Sequence, residues 1–532
     1  MRLPLLAGVC LSLVLAACMP QDSQKPAEQD YSASATLEMT LPELSAKLES
    51  GTLSSEALTQ MYLDRIAALD RSGPGLQSFI SINPDAMELA KQSDARRARG
   101  KALGPLDGIA IALKDNIETA DNMPTTAGAL ALEDNVTGRD SPLAAGLREE
   151  GAIIIGKTNL SQWANFRSNN SLSGWSAIGG QVRNPHMLDR NPCGSSSGTG
   201  AAIAASLASG GVGTETNGSI ICPSNVNGVV GFKPTVGLVS QDYIVPISVS
   251  QDTAGPMTKS VKGAAMMLSA MSGGADDFAA RLDKNSLSGV RVGVMNFSRN
   301  DNADINARFD AAIKTLEDRG AVTMPIDEFE FSAEGFWGHA LSVLEYEFKD
   351  GLDRYLSATP ASVKTRSLAQ VIAFNKDNAD VEMALFDQGL LESSDAKGAL
   401  SEQDYKDALV IVQKAVREDG IDRLLADHNV SVLVGPSGPL SPRIDPVNGD
   451  VWPEWAGAGY LAAVAGYPSL TVPMGDIHGV PIGVSFMGAK DTDAQILSFG
   501  YAYEQASRLR VSPKFLKTAE DRPEIKGAMV RD

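Results

Sequence analysis

Apolar residues recur at helical spacing in two segments near the start of the main body of the chain. The first, TLPELSAKLESG, opens on Thr40 with Glu43 three positions later, which is the capping-box spacing of a helix N-terminus. In the second, SSEALTQMYLDRIAALD, one helical face carries Leu58, Met61, Tyr62, Ile66 and Leu69. The pattern therefore predicts two consecutive helices between residues 40 and 70.

Beyond Pro105 the pattern changes to short apolar runs separated by helical segments rich in alanine and glycine. The runs GIAIAL, AIIIGKTN, GVVGFKP and VRVGV predict buried strands, and GTGAAIAASLA predicts a helix. A further helix is predicted in DINARFDAAIKTLEDRG, whose apolar face is formed by Ile305, Phe309, Ile313 and Leu316. Residues 330–430 are more polar and mostly helical in pattern, and we expect them to cover one face or to shape a substrate pocket. Strands that alternate with helices predict an α/β fold around a largely parallel or mixed sheet, with no internal repeat.

The composition is that of a folded protein with an acidic surface. The chain has 532 residues, of which 43% are hydrophobic and 21% charged, and its formal net charge at pH 7 is −19. This apolar content is enough to bury a large core, and it is not the composition of a disordered chain. The negative charge disfavours nucleic acid and anionic membrane surfaces as partners.

The N-terminal segment has the features of an export signal. Arg2 precedes the apolar run LPLLAGVCLSLVL, which is too short to span a membrane. The run ends in LAAC, which resembles the bacterial lipobox, where the cysteine (here Cys18) is lipidated and becomes the first mature residue. We therefore predict a lipoprotein signal peptide over 1–17, a flexible tether over 18–38 and one folded domain over 39–520. Acyl chains on Cys18 would hold an exported, periplasmic protein at a bacterial membrane, and a plain secretory signal is the alternative.

Two cysteines remain outside the export segment, which also contains Cys10. They are Cys193 and Cys222, and one pair in so long a chain is not a disulfide framework. We expect both to be small buried hydrophobic residues, with a bridge between them as the less favoured alternative.

Two short motifs match known catalytic or binding patterns but lie in unsuitable surroundings. Residues 151–158, GAIIIGKT, fit the phosphate-loop pattern, but Ala-Ile-Ile-Ile belongs in a buried strand and not in a loop around an anion. Ser394 and Lys397 fit the serine–lysine pattern S-x-x-K, but the surrounding SSDAKGALSEQD is typical of a solvated turn and no K-T-G follows. Neither motif predicts the function.

The serine triplet of GSSSG fits the nucleophile-elbow pattern G-x-S-x-G with Ser196 at its centre. An elbow needs a strand that runs straight into the turn, followed by a helix. The preceding NPHMLDRNPC contains two prolines and does not predict a strand. The elbow therefore stays an alternative, with His339, His428 or His478 as its possible base.

Three segments together resemble the amidase signature family. PLDGIAIALKDN ends an apolar run at Lys114, CGSSSGTGAA holds the serine triplet, and GVGTETNGSIICPSNVNGVVGFKPTVG contains Ser219. The family has its nucleophilic serine in G-T-[DE]-x-x-G-S-I and a relay serine 24 residues earlier, which in this chain is Ser195. TTAG, KTN and AGYPSLTVPMG also resemble family segments, so the likeness covers roughly residues 40–510. It implies a central twisted mixed β-sheet covered by helices on both faces.

The resemblance is greatest to the bacterial peptide amidases of that family, which hydrolyse the C-terminal amide of peptides. It implies that Ser219 attacks the carbonyl carbon, that Ser195 relays the proton, and that neutral Lys114 is the base. The pKa of free lysine is about 10.4, and burial of Lys114 behind IAIAL is expected to lower its pKa. Ser196 is expected to support the lysine or the relay through a hydrogen bond. The oxyanion hole is expected from the backbone N–H groups of Thr216, Asn217, Gly218 and Ser219, although many members of the family have glycine where this chain has Asn217.

The expected partner is a small amide or an amidated peptide. The four histidines fit no metal-ligand spacing, so neither a metal nor a cofactor is expected, and no obligate protein partner is evident. Two alternatives remain: an amidase for fatty-acid or small aliphatic amides, or an inactive exported lipoprotein that binds a peptide or another solute.

Overall fold

The computed structural model describes residues 31–529. The strands of this region are, in chain order, β1 (Phe79–Ile82), β2 (Ala110–Lys114), β3 (Ile153–Thr158), β4 (Trp175–Ser176), β5 (Gly180–Gln181), β6 (Gly210–Glu215), β7 (Val230–Lys233), β8 (Thr253–Thr258), β9 (Arg291–Met295), β10 (Val322–Ile326), β11 (Val432–Pro436), β12 (Ser469–Ile477) and β13 (Val480–Met487).

The α-helices of the same region lie before, between and after these strands. They are α1 (Ala35–Glu38), α2 (Leu41–Glu49), α3 (Ser55–Leu69), α4 (Ala86–Ala98), α5 (Pro142–Glu149), α6 (Ser197–Ala204), α7 (Ile221–Asn227), α8 (Val261–Met271), α9 (Ala303–Asp318), α10 (Phe336–Ser357), α11 (Leu368–Asp377), α12 (Ala379–Glu382), α13 (Gly389–Asp395), α14 (Gln403–Val416), α15 (Asp422–Asp427), α16 (Gly459–Ala465), α17 (Asp493–Ser507) and α18 (Pro523–Met529).

One mixed sheet of eleven strands organises the molecule, in the order β1-β3-β2-β6-β8-β7-β12-β13-β11-β9-β10. The pairs β3–β2, β2–β6, β11–β9 and β9–β10 are parallel, and the other pairs are antiparallel. Every residue of β2, β3, β6, β7 and β8 is buried, as expected for strands covered on both faces. The predicted α/β fold, a mixed sheet flanked by helices, is confirmed.

The helices predicted from periodicity are present. Thr40 and Glu43 form the capping box of α2, with the backbone N–H of Thr40 donating to Glu43 Oε2 at 2.7 Å. In α3 the predicted face is buried except for half-buried Met61. In α9 three of the four predicted apolar residues are buried, and Ile313 is half-buried. Apolar spacing therefore identified the buried face of α3 and of α9.

Residues 330–430 are mostly helical, as predicted, and include α10–α15. Two apolar clusters separate from the main core form here: one is centred on α10, α14 and α16, and the other packs α10, α11 and α13 against residues 127–132. The first cluster includes residues of β9, β10, β11 and β13, and Trp337 of α10 lines the cavity described below.

The predicted signal peptide, residues 1–17, and Cys18 lie outside the described residues. Part of the predicted tether, residues 31–38, is described, and it contains α1 with Leu37 buried. Glu38 pairs with Arg510 at 3.0 Å, so the packed body includes residues ahead of the predicted boundary at 39. Between residues 31 and 529, no helix is long and apolar enough to cross a membrane.

Candidate active site

Lys114 is the last residue of β2, at the carboxyl ends of the parallel strands β2 and β6. Its Nζ donates to Ser195 Oγ at 2.7 Å, to Thr214 Oγ1 at 2.8 Å and to Thr214 O at 3.2 Å. The side chain is fully buried, and this burial lowers the pKa of Lys114 to about 7, although the charges of Asp252 and Glu215 oppose the shift. A lysine with this pKa is partly neutral at neutral pH and can accept a proton.

Ser195 lies in the turn that leads into α6, and it is also fully buried. The Gly194–Ser195 peptide bond is cis, and the Ser195 carbonyl accepts the backbone N–H of Ser161 at 3.1 Å. A Cβ on Gly194 would lie 2.1 Å from Ser161 Oγ, so only glycine fits at this position. The turn thus presents Ser195 Oγ directly to Lys114.

Ser196 bridges the strand β6 and the Ser219 turn. Its Oγ donates to Thr214 O at 3.1 Å and accepts from Thr214 N at 3.2 Å, while its own N–H donates to Ser219 O at 3.2 Å. Ser196 is therefore connected to the lysine through Thr214, whose hydroxyl accepts from Lys114; its supporting role stays a prediction. Ser196 is fully buried and follows a loop instead of a strand, so the geometry of a nucleophile elbow is not present.

Ser219 lies in the turn between β6 and α7, with 7% of its surface exposed. Its hydroxyl makes no hydrogen bond with any of residues 31–529, so it does not contact Ser195 in this state. Gly218 has φ +80°, and a Cβ built on it would meet nothing within 4 Å, so this side of the turn is open. Within the described part of the chain, the backbone N–H groups of Asn217, Gly218 and Ser219 likewise have no acceptor.

Two carboxylates hold the 216–219 turn. Glu215 Oε2 accepts the backbone N–H groups of Ile220 at 2.7 Å and Ile221 at 2.9 Å, at the start of α7. Asp252 Oδ1 accepts the hydroxyl of Thr216 at 2.6 Å. These contacts fix the turn from both sides, and they leave its N–H groups free to donate to an anionic oxygen.

Cys193 and Cys222 form a disulfide bond, so the expectation of two separate buried thiols is wrong. Their Cα atoms are 5.9 Å apart because the Ser195 and Ser219 turns meet in space. The sequence contained the signal: Cys193 is two residues before Ser195 and Cys222 three after Ser219, so serines that meet bring the cysteines together. The bridge covalently joins the two serine segments.

A cavity of about 440 Å³ opens beside these segments. One part of the lining is here called the serine wall, because its residues flank Ser195 and Ser219 in the chain. It is formed by Cys193, Gly194, Asn217, Gly218, Ile221 and Cys222. Another part of the lining, here called the aromatic wall, is formed by Trp337, Trp452, Trp455 and Tyr460. Sequence reasoning missed the aromatic wall and also missed Thr214, although Thr214 lies inside the GTETNGS segment that was singled out.

The two competing motifs have structural explanations. Residues 153–158 form the buried strand β3, as their composition predicted, and Lys157 pairs with Asp115 at 3.7 Å. Ser394 is not in a solvated turn but is buried in α13. Its Oγ donates to Leu390 O of the same helix, so the hydroxyl is satisfied within the helix. Lys397 pairs with Glu345 at 3.0 Å. Between residues 31 and 529 no cluster of His, Cys, Asp and Glu side chains is arranged to hold a metal ion.

Comparison with known proteins shows the family to which the chain belongs. The family model described as Amidase matches residues 57–497. A probable amidase of Arabidopsis thaliana is 34% identical, over 90% of this chain and 92% of its own length. The crystal structure of native peptide amidase from Stenotrophomonas maltophilia is 43% identical, with a TM-score of 0.84, covering 90% of this chain and 99% of its own. A peptide amidase in complex with the competitive inhibitor chymostatin is 44% identical with the same coverage and a TM-score of 0.85. The chain belongs to the amidase signature family, and it is an amidase, a hydrolase of amide bonds.

Proposed function

We propose that this amidase removes the C-terminal amide of peptides through a Ser219–Ser195–Lys114 relay. The observation that carries the proposal is the 2.7 Å hydrogen bond between Lys114 Nζ and Ser195 Oγ at a fully buried position. A lysine used only for solubility would keep its ammonium group in water. The similarity to peptide amidases supports the choice of substrate.

In the proposed reaction Ser219 Oγ bonds to the carbonyl carbon of the amide. Its proton passes to Ser195 Oγ, while the proton of Ser195 passes to neutral Lys114 Nζ. The backbone N–H groups of the 216–219 turn stabilise the negative oxygen that forms. The C–N bond then breaks as the relay returns a proton to the nitrogen, so that ammonia leaves and an ester on Ser219 remains. Water hydrolyses this ester through the same relay.

The relay requires the Ser219 hydroxyl to turn toward Ser195 when substrate binds. Catalytic hydrogen bonds often form only in the substrate complex, so their absence without substrate is compatible with the relay. The bond from Ser196 N to Ser219 O and the Cys193–Cys222 disulfide keep the two serine turns adjacent. The two serine turns are therefore neighbours, as the proposed relay requires.

A fluorophosphonate label, mapped by peptide mass, tests the nucleophile. We expect the label on Ser219, no label on the Ser219→Ala variant, and full labelling of the control Ser394→Ala. A label on Ser196 would contradict the relay and favour the nucleophile elbow.

Ammonia release from a panel of amides tests the substrate. We expect amidated peptides to be hydrolysed faster than fatty-acid amides and small aliphatic amides. Faster hydrolysis of either other group would contradict the proposed substrate while leaving the relay intact. A folded protein that releases ammonia from none of them would instead favour the inactive binding lipoprotein.

We also propose that the enzyme is exported and anchored through lipid on Cys18. The support is the lipobox-like sequence together with a disulfide bond, since disulfides persist mainly in oxidising compartments. In cells that process lipoproteins, the full chain should fractionate with membranes, and Cys18→Ser should not. Membrane association that Cys18→Ser leaves unchanged would contradict the lipid anchor.

A further inference from the structure

We propose that the cavity beside Ser219 selects peptide amides whose last residue has an aromatic or large apolar side chain, and that it discriminates against acidic ones. This inference rests on the proposed hydrolysis of peptide amides and adds the class of side chain. It is carried by the composition, the ring packing and the charge of the cavity.

The aromatic wall is a preformed surface. Trp337 and Tyr460 meet edge to face with ring centroids 5.4 Å apart, and Trp452 and Trp455 do so at 5.7 Å. Behind Trp337, the rings of Phe331 and Phe336 contact it at 5.7 and 5.0 Å. Rings held by one another lose little freedom when a ligand binds, so the wall can take up an apolar side chain at low entropic cost.

The aromatic wall lies next to the serine wall. Trp452 packs against Cys193 and Cys222 of the serine wall, so the two walls are in direct contact. With its amide carbonyl at the 216–219 turn, the last residue of the proposed substrate would lie in this cavity, because Asn217 and Gly218 of that turn line it. A volume of about 440 Å³ is within the range of small-molecule sites.

Two large apolar side chains of the aromatic wall are exposed to solvent. Trp337 is 52% exposed and Trp455 is 45% exposed. Aromatic surface of this kind beside a reactive serine is typical of a site that is covered when its ligand binds. A large apolar side chain of the substrate would remove part of this surface from water.

The charge of the lining disfavours acidic substrates. Among the described residues that line the cavity, Asp450 is the one carboxylate, and none is Lys, Arg or His. Asp450 is held by neutral donors, namely the backbone N–H of Ser173 at 2.9 Å, the Ser173 hydroxyl, and Asn191 Nδ2 at 2.7 Å. Its negative charge is therefore not neutralised by a cation in the cavity, and an acidic side chain of the substrate would be repelled.

The test compares acetylated single-residue amides that differ only in the side chain. We expect kcat/KM for the phenylalanyl amide to exceed that for the glycyl amide by about tenfold or more. We expect the glutamyl amide to be slower than the phenylalanyl amide by about 100-fold. Equal rates across the panel, or a preference for the glycyl, glutamyl or lysyl amide, would overturn the inference. Failure to hydrolyse any peptide amide would instead overturn the proposed function.

Variants of the aromatic wall connect the preference to its residues. Trp455→Ala should lower the phenylalanyl-to-glycyl ratio of kcat/KM by about fivefold or more, mainly through KM, whereas Trp455→Phe should keep most of the ratio. The control Val322→Ala removes an equally exposed apolar side chain on β10 and should leave the ratio unchanged. An unchanged ratio in a folded Trp455→Ala variant would contradict the assignment.

The Asp450→Asn variant tests the electrostatic part separately. Loss of the carboxylate should raise kcat/KM for the glutamyl amide relative to the phenylalanyl amide by about tenfold. Binding of both amides to Ser219→Ala/Asp450→Asn, measured by calorimetry, provides the same comparison without turnover. Discrimination that is the same with and without the carboxylate would show that Asp450 does not exclude acidic substrates.

Discussion

The two walls of the cavity differ in what holds them in place. The serine wall is fixed by backbone hydrogen bonds, by the carboxylate of Glu215 and by a disulfide bond. The aromatic wall is a set of side chains from two distant parts of the chain, held by ring contacts. Bond-making atoms need fixed positions, whereas an apolar surface needs only shape and the absence of opposing charge.

This difference leads to distinct kinetic expectations for the two walls. Changes on the serine side should lower kcat, because they would disturb groups that act in the transition state of the proposed reaction. Changes on the aromatic side should mainly raise KM and alter the preference among substrates.

Replacement of Lys114 by Met should reduce kcat by about 10³- to 10⁴-fold, because the proposed proton relay would lose its base. In the native enzyme burial lowers the pKa of Lys114 to about 7, and the proposed relay uses the neutral form. Activity should therefore rise as pH increases through about 7 and level off above it. The pH profile of kcat/KM measures this directly.

Lys114→Arg is the matched control, because arginine keeps its charge at every accessible pH. It should be as inactive as Lys114→Met, and neither variant should show the rise near pH 7. A profile that falls as pH increases through 7, or a variant that keeps near-native kcat, would contradict Lys114 as the base. Circular dichroism spectra that match those of the native enzyme are required for both variants.

Removal of the disulfide should have the next largest effect. In Cys193→Ser/Cys222→Ser the two serine turns are no longer covalently joined, and misplacement of about 1 Å between reacting groups can cost up to about 100-fold in rate. We expect kcat to fall by about tenfold to 100-fold, with little change in the ratio between phenylalanyl and glycyl amides. Thermal unfolding should occur at a lower temperature, because a disulfide stabilises by roughly 2–4 kcal/mol.

The comparison with the Trp455→Ala variant makes the disulfide experiment decisive. The cysteine variant should change kcat and leave the substrate preference, and the tryptophan variant should do the reverse. A cysteine variant with native kcat would contradict a positioning role for the disulfide, even if the protein melts earlier.

The strands that could be predicted from sequence are those with continuous apolar runs, such as β2 and β3. The strand β6 contains Thr214 and lies between β2 and β8 in the sheet. It was not predicted, because its sequence GGVGTE is rich in glycine, which is depleted in strands. The structure explains these glycines. A Cβ on Gly211 would lie 2.6 Å from Thr199 Cγ2, and one on Gly213 would lie 2.7 Å from Ser196 Oγ. The close packing of α6 on the sheet requires glycine in this strand, and glycine has a low strand propensity, so propensity rules do not identify β6.

The residues proposed for catalysis could be predicted from the sequence more completely than the residues of the aromatic wall. Family spacing brought Lys114 and Ser195 together, and their hydrogen bond is present. The aromatic wall could not be predicted, because Trp337 and Tyr460 meet only through the packing of α10 and α16, and no local pattern records that contact. A motif preserves the geometry of a turn, whereas a pocket wall depends on how distant helices pack.

The smallest effect is expected at the serine–lysine pair of the helical region. Ser394→Ala removes a buried hydroxyl that donates to a carbonyl of its own helix, so the free energy of unfolding should change by about 1 kcal/mol or less. Neither kcat nor KM should change by more than about twofold, because substitutions of this kind far from the site rarely affect chemistry. Lys397→Met, which breaks the ion pair with Glu345, should leave kcat equally unaffected while lowering the melting temperature. A large loss of kcat in folded Ser394→Ala would contradict this expectation. It would indicate that S-x-x-K acts as a catalytic motif in the helical region and that the serine wall does not suffice for hydrolysis.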